Sequence, residues 1–240
     1  LPVEAEGAGA DLLALDAGEL KLKTSYGTGF RSPSLYEIDY NRGAFAFPPA
    51  SLLTLSEEAS VGFEYGVEYQ ANAGLYLELV IFDQDVEDAI YFDLAGFSGY
   101  LQDIGASNSS GVEMIANYPL STQLSLSANY TYNDTERPNG EQRLRRPEQL
   151  TNIGLNYQAH SQRLNLHAFY RRTSDAIDDI FGSTVALADT SVLDLSGSYR
   201  LSDAVQLYGR IENVLDDEFQ EVIDYRSPGR ASYVGIRVNF

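Results

Sequence analysis

The chain has 240 residues, with 35 acidic side chains against 16 basic ones and a formal net charge of −19. That balance argues against nucleic-acid binding, which needs a basic footprint. The lack of cysteine excludes disulfides, thiolate metal sites and Cys nucleophiles, and two histidines, His160 and His167, leave little room for His-rich metal centres.

Residues 1–18, LPVEAEGAGADLLALDAG, have neither a basic start nor a continuous apolar core. They are not a signal peptide and read as an N-terminal remnant or a partial strand. From residue 19 the side chains alternate. Leu20, Leu22, Tyr26 and Phe30 share one face, opposite Glu19, Lys21, Lys23 and Ser25. Over 56–70, Val61, Phe63, Tyr65, Val67 and Tyr69 oppose Ser60, Glu64, Glu68 and Gln70. Leu75, Leu77, Leu79 and Ile81 follow, then Val112, Met114, Ala116 and Tyr118. The pattern recurs at Leu124–Tyr132, at Ile153–Tyr157, at Leu164–Tyr170 (with Phe169 out of phase) and at Leu193–Tyr199. It returns at Val205–Ile211 and ends with Val234, Ile236, Val238 and Phe240. Period-two alternation of this persistence predicts about ten strands, many longer than the usual five or six residues or so. No apolar run reaches the ~20 residues of a membrane-spanning helix.

The connections alternate too. Short ones fall at 70–73, 119–123, 158–162 and 201–204, and longer ones at about 31–55, 134–148, 172–190 and 213–230, with a shorter one near 93–99. Long strands joined by alternately short and long turns predict an all-β, antiparallel, up-and-down transmembrane barrel segment over 19–240. The apolar face then meets outer-membrane lipid. Tyr69, Tyr118, Tyr157, Tyr199 and Phe240 all fall near one end of the descending strands, as an interfacial aromatic girdle requires. No helix is expected, because a barrel pairs every backbone group in lipid. A soluble β-sandwich is the competing fold; it also alternates, but gives no reason for aromatics at one end only.

The stretch SYGTGFRSPSLYEI at 25–38 resembles the TonB-dependent outer-membrane receptors of Gram-negative bacteria. SEEASVGFEYGVEY (56–69), SSGVEMIANYPL (109–120), RRPEQLTNIGLNY (145–157), IENVLDDEFQEV (211–222) and SPGRASYVGIRVNF (227–240) agree in order. The ending is most similar to the vitamin B12 and siderophore receptors. The resemblance implies a barrel of about 22 strands with a plugged lumen, of which this chain would be the C-terminal half. A plug domain, the remaining strands and the TonB complex would then be partners. A terminal Phe on such a strand resembles the signal by which outer-membrane barrels are recognised for assembly.

Long loops carry specificity, so Tyr36, Tyr40, Arg42, Tyr225, Arg226 and Arg230 are the ligand-contact candidates. Arg210, Glu212 and Arg237 alternate on the polar faces of the last two strands and read as a lumen charge ladder or plain cross-strand pairs. Asp175, Asp178 and Asp179 are a weak candidate cation site, as are Asp83, Asp85, Glu87, Asp88 and Asp93; solvated loop charge is the plainer reading of both. No cofactor is implied and the chain is not expected to be an enzyme. The expected function is TonB-dependent uptake of a scarce ligand such as a siderophore or cobalamin. The alternatives are a small self-closed passive pore and a barrel hydrolase; the latter needs a His with a carboxylate or Ser near the outer rim, and is disfavoured because His160 is expected at a periplasmic turn and His167 in mid-strand facing the lumen.

Overall fold

A computed structural model describes residues 4–103 and 105–239; Phe240 lies outside the described residues. The chain opens with strands β1 (Glu4–Leu15) and β2 (Gly18–Arg31), a helix α1 (Leu35–Arg42) and a 3-10 turn (Ala50–Leu52). Strands β3 (Glu58–Ala71), β4 (Tyr76–Glu87), β5 (Ile90–Phe92), β6 (Tyr100–Gln102), β7 (Ala106–Pro119), β8 (Leu124–Glu136), β9 (Gln149–Gln158) and β10 (Leu164–Ser174) follow. The chain continues through β11 (Ile177–Ile180), β12 (Ser183–Ala186), β13 (Thr190–Arg200), β14 (Val205–Glu212), β15 (Gln220–Val222), β16 (Tyr225–Arg226) and β17 (Ala231–Val238). Eleven strands form one antiparallel sheet in the order β1-β2-β3-β4-β7-β8-β9-β10-β13-β14-β17. The pairs β5–β6, β11–β12 and β15–β16 are two-stranded hairpins in the loops.

Each strand of the large sheet pairs with its neighbour in sequence order, so the up-and-down topology is as expected. Connections alternate strictly. Short turns occupy 16–17, 72–75, 120–123, 159–163 and 201–204; long loops occupy 32–57, 88–105, 137–148, 175–189 and 213–230.

Register keeps the faces apart. Tyr65 sits opposite Thr24 and Ile81, Leu79 opposite Val67 and Met114, and Leu195 opposite Ala168 and Ile211. A one-residue slip would reverse every side chain, and the short turns prevent it. The apolar face is uncovered: Leu79 is 37 % exposed, Ile81 52 % and Ile236 65 %. Among the described residues only Ala50, Ala89 and Val192 are buried hydrophobics. A two-layered sandwich is thereby excluded, since its sheets would bury these faces against each other. Each large side chain here gains roughly 1.5–3 kcal/mol on full removal from water, so the face requires an apolar surrounding such as hydrocarbon.

Two expectations are corrected. Glu4–Leu15 is a full strand, paired with β2 from Leu15↔Gly18 to Glu4↔Thr28 with one register shift, which makes eleven strands rather than ten. Its Gly- and Ala-rich EAEGAGAD run hides the alternation. A helix does exist: α1 lies in the first long loop, outside the paired wall, where a backbone can satisfy itself locally. Eleven is also an odd number. Strands β1 and β17 therefore run in the same direction, and joining them would demand a parallel pair in an otherwise antiparallel sheet.

Candidate functional site

The long loops do not splay outward. They turn in over the polar face at one end of the sheet, burying Ser107, Thr135, Thr190 and Val192, all of which lie on that face by register. We refer to this assembly as the cap. It is built loop to loop in chain order.

The first link starts at α1. Ser34 and Glu37 form a capping box: the Glu37 amide donates to Ser34 Oγ (3.2 Å) and the Ser34 amide to Glu37 Oε2 (2.6 Å). The Arg31 guanidinium bridges Glu37 (3.1 Å) and Glu58 (Nη2 to Oε1, 2.9 Å), and Glu58 Oε1 also accepts the Ile90 amide at 2.6 Å. Burial alone would raise the Glu37 carboxyl, but the Ser34 amide and hydroxyl and then Arg31 outweigh it and hold it below the usual range. Asn41 clasps the next loop, donating to the Tyr100 carbonyl and accepting from its amide, both at 2.8 Å. Gly99 reaches this position at φ 137, where an added Cβ would meet Asn41.

Arg137 joins the second and third long loops, with Asp103 at 3.0 Å and the Tyr91 ring at 5.0 Å. Asp178 joins the last three. Its side chain is fully buried and accepts from Arg145 Nε (2.8 Å), the Ile223 amide (2.8 Å) and the Asp179 amide (2.9 Å). Burial would push this carboxyl up, but the Ile223 amide, Arg145 and the Asp179 amide together bring it below its ordinary value.

An aromatic cluster lies within the cap. Tyr36, Tyr40, Phe92 and Tyr100 meet at centroid distances of 5.3 to 6.2 Å, mostly edge to face. Phe97 extends the cluster from Phe92 (6.3 Å) to Phe181 on the β11–β12 hairpin (6.5 Å). Tyr36 is 66 % and Phe181 80 % exposed, so the cluster presents rings to solvent.

Of the loop candidates, Tyr36 and Tyr40 therefore come together, and Arg42 closes the same helix. Tyr225 and Arg226 sit apart on β16, and the Arg230 amide donates to Asp216 Oδ1 (2.8 Å). Phe92, Phe97, Tyr100 and Phe181 were not anticipated, because nothing local marks them as neighbours.

The carboxylates do not gather into cation sites. Asp178 serves the buried link, Asp175 accepts from Gln149 (2.8 Å) and Asp179 from the Gly182 amide (2.8 Å). Asp93 accepts from Ala95, Gly96 and Ser98 in its own turn, and Asp83 and Asp85 share Asn108. Among the described residues no three acidic or histidine groups are placed to hold a metal.

On the polar wall, Lys23 pairs with Glu78 (2.5 Å) and Glu68, which Lys21 also approaches (3.5 Å). This network was readable from opposed Lys and Glu in neighbouring strands. Arg210 pairs with Glu212 (3.0 Å) and lies over Tyr233 (4.5 Å), while Arg237 lies over Tyr208 (5.8 Å). His167 Nδ1 meets Asn156 Oδ1 at 2.6 Å, without the carboxylate a hydrolase would use. His160 falls in the 159–163 turn. Tyr69, Tyr118, Tyr157 and Tyr199 lie in register beside short turns, and the Tyr69 hydroxyl donates to the Ala17 carbonyl (3.3 Å).

This site offers rings, amides and ion pairs, a surface suited to binding. Residues 13–214 match the model of the TonB dependent receptor-like β-barrel. The chain is 25 % identical over 226 residues to the vitamin B12 transporter BtuB of Vibrio cholerae serotype O1, covering 92 % of the chain and 35 % of that relative. It is equally similar, at 25 % over 247 residues, to an iron-regulated outer membrane virulence protein of the same species, covering 91 % and 37 %. It thus spans about a third of the length of these curated relatives. Among solved structures, the copper transporter OprC superposes with a TM-score of 0.77 at 18 % identity, covering 97 % of this chain and 38 % of that one. The ferripyoverdine receptor of Pseudomonas aeruginosa gives 0.74 at 15 %, covering 97 % and 32 %. At these identities the superpositions carry the fold, and the family match carries the rest. The chain belongs to the TonB-dependent receptor family, as part of its outer-membrane β-barrel, a family of transport receptors rather than enzymes.

Proposed function

We propose that this chain forms wall and outer loops of a receptor that takes up a scarce ligand, of the siderophore or cobalamin kind, across the outer membrane. A plug domain and further strands would complete the barrel, and the TonB complex would supply energy. The observation that carries this reading is the cap: five long loops, tied in series over the polar face at one end of an uncovered apolar sheet. Tyr36 and Tyr40, extended by Phe97 and Phe181, form the first contact surface for the ligand, with Arg42, Tyr225, Arg226 and Arg230 around it. A relative named as a vitamin B12 transporter and a relative named as an iron-regulated outer membrane virulence protein support uptake as the activity.

A passive pore made by closing this sheet on itself is the weaker reading, because its eleven strands would need a parallel seam. The test is growth of an uptake-deficient strain that carries the complete gene, on ferric siderophores or cobalamin as limiting source. Rescue that needs TonB and is lost in the Tyr36→Ala, Phe181→Ala double variant supports the proposal. Rescue without TonB, together with stable conductance in planar bilayers, would overturn it in favour of the pore.

A further inference from the structure

The bases of the cap stand away from its rings. The three loops that carry the ring cluster, 32–57, 88–105 and 175–189, contain ten acidic residues and one basic one, Arg42. Four of the acids are paired: Glu37 with Arg31 (3.1 Å), Asp103 with Arg137 (3.0 Å), Asp178 with Arg145 (2.8 Å) and Asp189 with Arg172 (2.8 Å). The other six, Asp39, Asp93 and Asp179 among them, have no ion pair among the described residues. Arg42 ends α1 and leaves the helix about 160° round from Tyr40, because two residues advance it by roughly 200°.

Each exposed ring has a carboxylate in its own turn. Asp39 follows Tyr36 by three residues on α1, so the two are neighbours on the helix surface. Phe97 lies in the turn of Asp93: its amide donates to the Asp93 carbonyl (2.9 Å), and the Asp93 carboxylate accepts the Gly96 amide (2.8 Å). Asp179 precedes Phe181 at the β11–β12 tip and accepts from the Gly182 amide (2.8 Å). Burial would raise the Asp93 carboxyl, but the Ser98 hydroxyl and the amides of Gly96, Ser98 and Ala95 outweigh it and hold it below its ordinary value. Burial first, then Tyr36, Glu37 and Tyr40, raise the Tyr100 hydroxyl; these neighbours are acids and phenols, with no cation among them. Phe97 and Phe181 also hold left-handed backbones, at φ 54 and 49, which bulky side chains rarely adopt. Folding gains little from rings left this exposed, so the strain points to what the rings meet from outside.

We propose that this surface selects its ligand by charge: the ligand is a metal chelate with a free ammonium arm, which lies against the Tyr36, Phe97 and Phe181 rings between Asp39 and Asp179. The inference rests on the reading of the ring cluster as the first contact of the ligand, and it adds the charge of that ligand. Ring faces attract a cation, and a carboxylate beside each ring strengthens the attraction. The same carboxylates repel a chelate with free acids, so one arrangement both attracts and rejects.

Ferric trihydroxamates that differ in one arm test it. Ferric desferrioxamine B, its N-acetyl form and its N-succinyl form carry one positive charge, no charge and one negative charge around the same chelate. Binding to the complete protein in outer membranes should fall in that order, by roughly two- to fivefold at each step, and the steps should shrink as salt is added. In the Asp39→Asn, Asp179→Asn double variant the ammonium form should bind several-fold more weakly while the acetyl form binds as before. Asparagine keeps an oxygen for the Gly182 amide, and binding of the acetyl form reports a folded surface. Equal binding of the three, tightest binding of the succinyl form, binding of none, or an order that the double variant leaves intact would overturn the proposal. Uptake in the same cells separates the two ideas: TonB-dependent uptake that favours the succinyl form sinks the charge preference alone, and charge-ordered binding without TonB-dependent uptake sinks the transport reading alone.

Discussion

The wall and the cap are made by opposite rules. Away from the end that the cap covers, the wall has almost no buried side chains among the described residues; its order comes from paired backbones, register and two unlike faces. The cap buries polar groups, with Asp178, Asn41 and Ser98 among the least exposed side chains of the protein. One is held by its surroundings, the other by specific bonds between loops far apart in sequence. Mutations should divide accordingly: in the wall the face decides the cost, and in the cap the individual bond does.

The largest effect belongs to the wall. Leu79→Lys places a charge at mid-height of the apolar face and is expected to cost about 2–4 kcal/mol, read as lost assembly and heat-modifiable mobility. Val80→Lys, one residue along on the polar face, should assemble normally. Equal loss in both would erase the distinction between faces.

Next comes the cap's buried link. Asp178→Ala removes three acceptor contacts at once. The cost should be roughly 2–3 kcal/mol, discounted because Arg145 stays partly hydrated. It should appear as faster amide exchange in 137–148, 175–189 and 213–230 while β2 to β4 remain protected. The link is also pH-dependent. Its folded carboxyl lies below the unfolded value, so its contribution is complete above the unfolded value and disappears as pH falls through the folded one. Loop exchange should therefore rise only in acid, below the ordinary carboxylate range, and Asp178→Asn should lose that acid-dependent rise.

Gly235→Val should follow, at about 1–3 kcal/mol from forcing the Tyr208 ring aside, seen as a lower melting temperature. The smallest effect is Phe181→Ala. Its contact with Phe97 is largely exposed and adds about 0.5 kcal/mol, so stability should hardly move while ligand affinity falls.

The wall was legible in the sequence and the cap was not, for the same physical reason. A face touching one environment along a whole strand leaves a period of two, which Leu77, Leu79 and Ile81 show plainly. The one lapse, β1, is where Gly and Ala replace large side chains. In the cap, Asn41 meets Tyr100 across 59 residues and Asp178 meets Ile223 across 45; no periodicity records such contacts. The helix α1 has no apolar stripe to betray it, although Ser34 and Glu37 stand at capping-box spacing. From the sequence Asp178 reads as a solvated loop charge or a weak metal candidate; it is instead buried and bound to a guanidinium and two amides.

The most direct test of the account is a spin-label scan along β4. The chain has no cysteine, so single cysteines at residues 76 to 82 can be labelled cleanly in outer-membrane lipid. Collision with dissolved oxygen should peak at 77, 79 and 81, and collision with a water-soluble nickel complex at 76, 78, 80 and 82, in opposite phase. Low collision with both at 77, 79 and 81 would mean that this face is packed in a dry protein interior, and the membrane wall, with the uptake built on it, would be wrong.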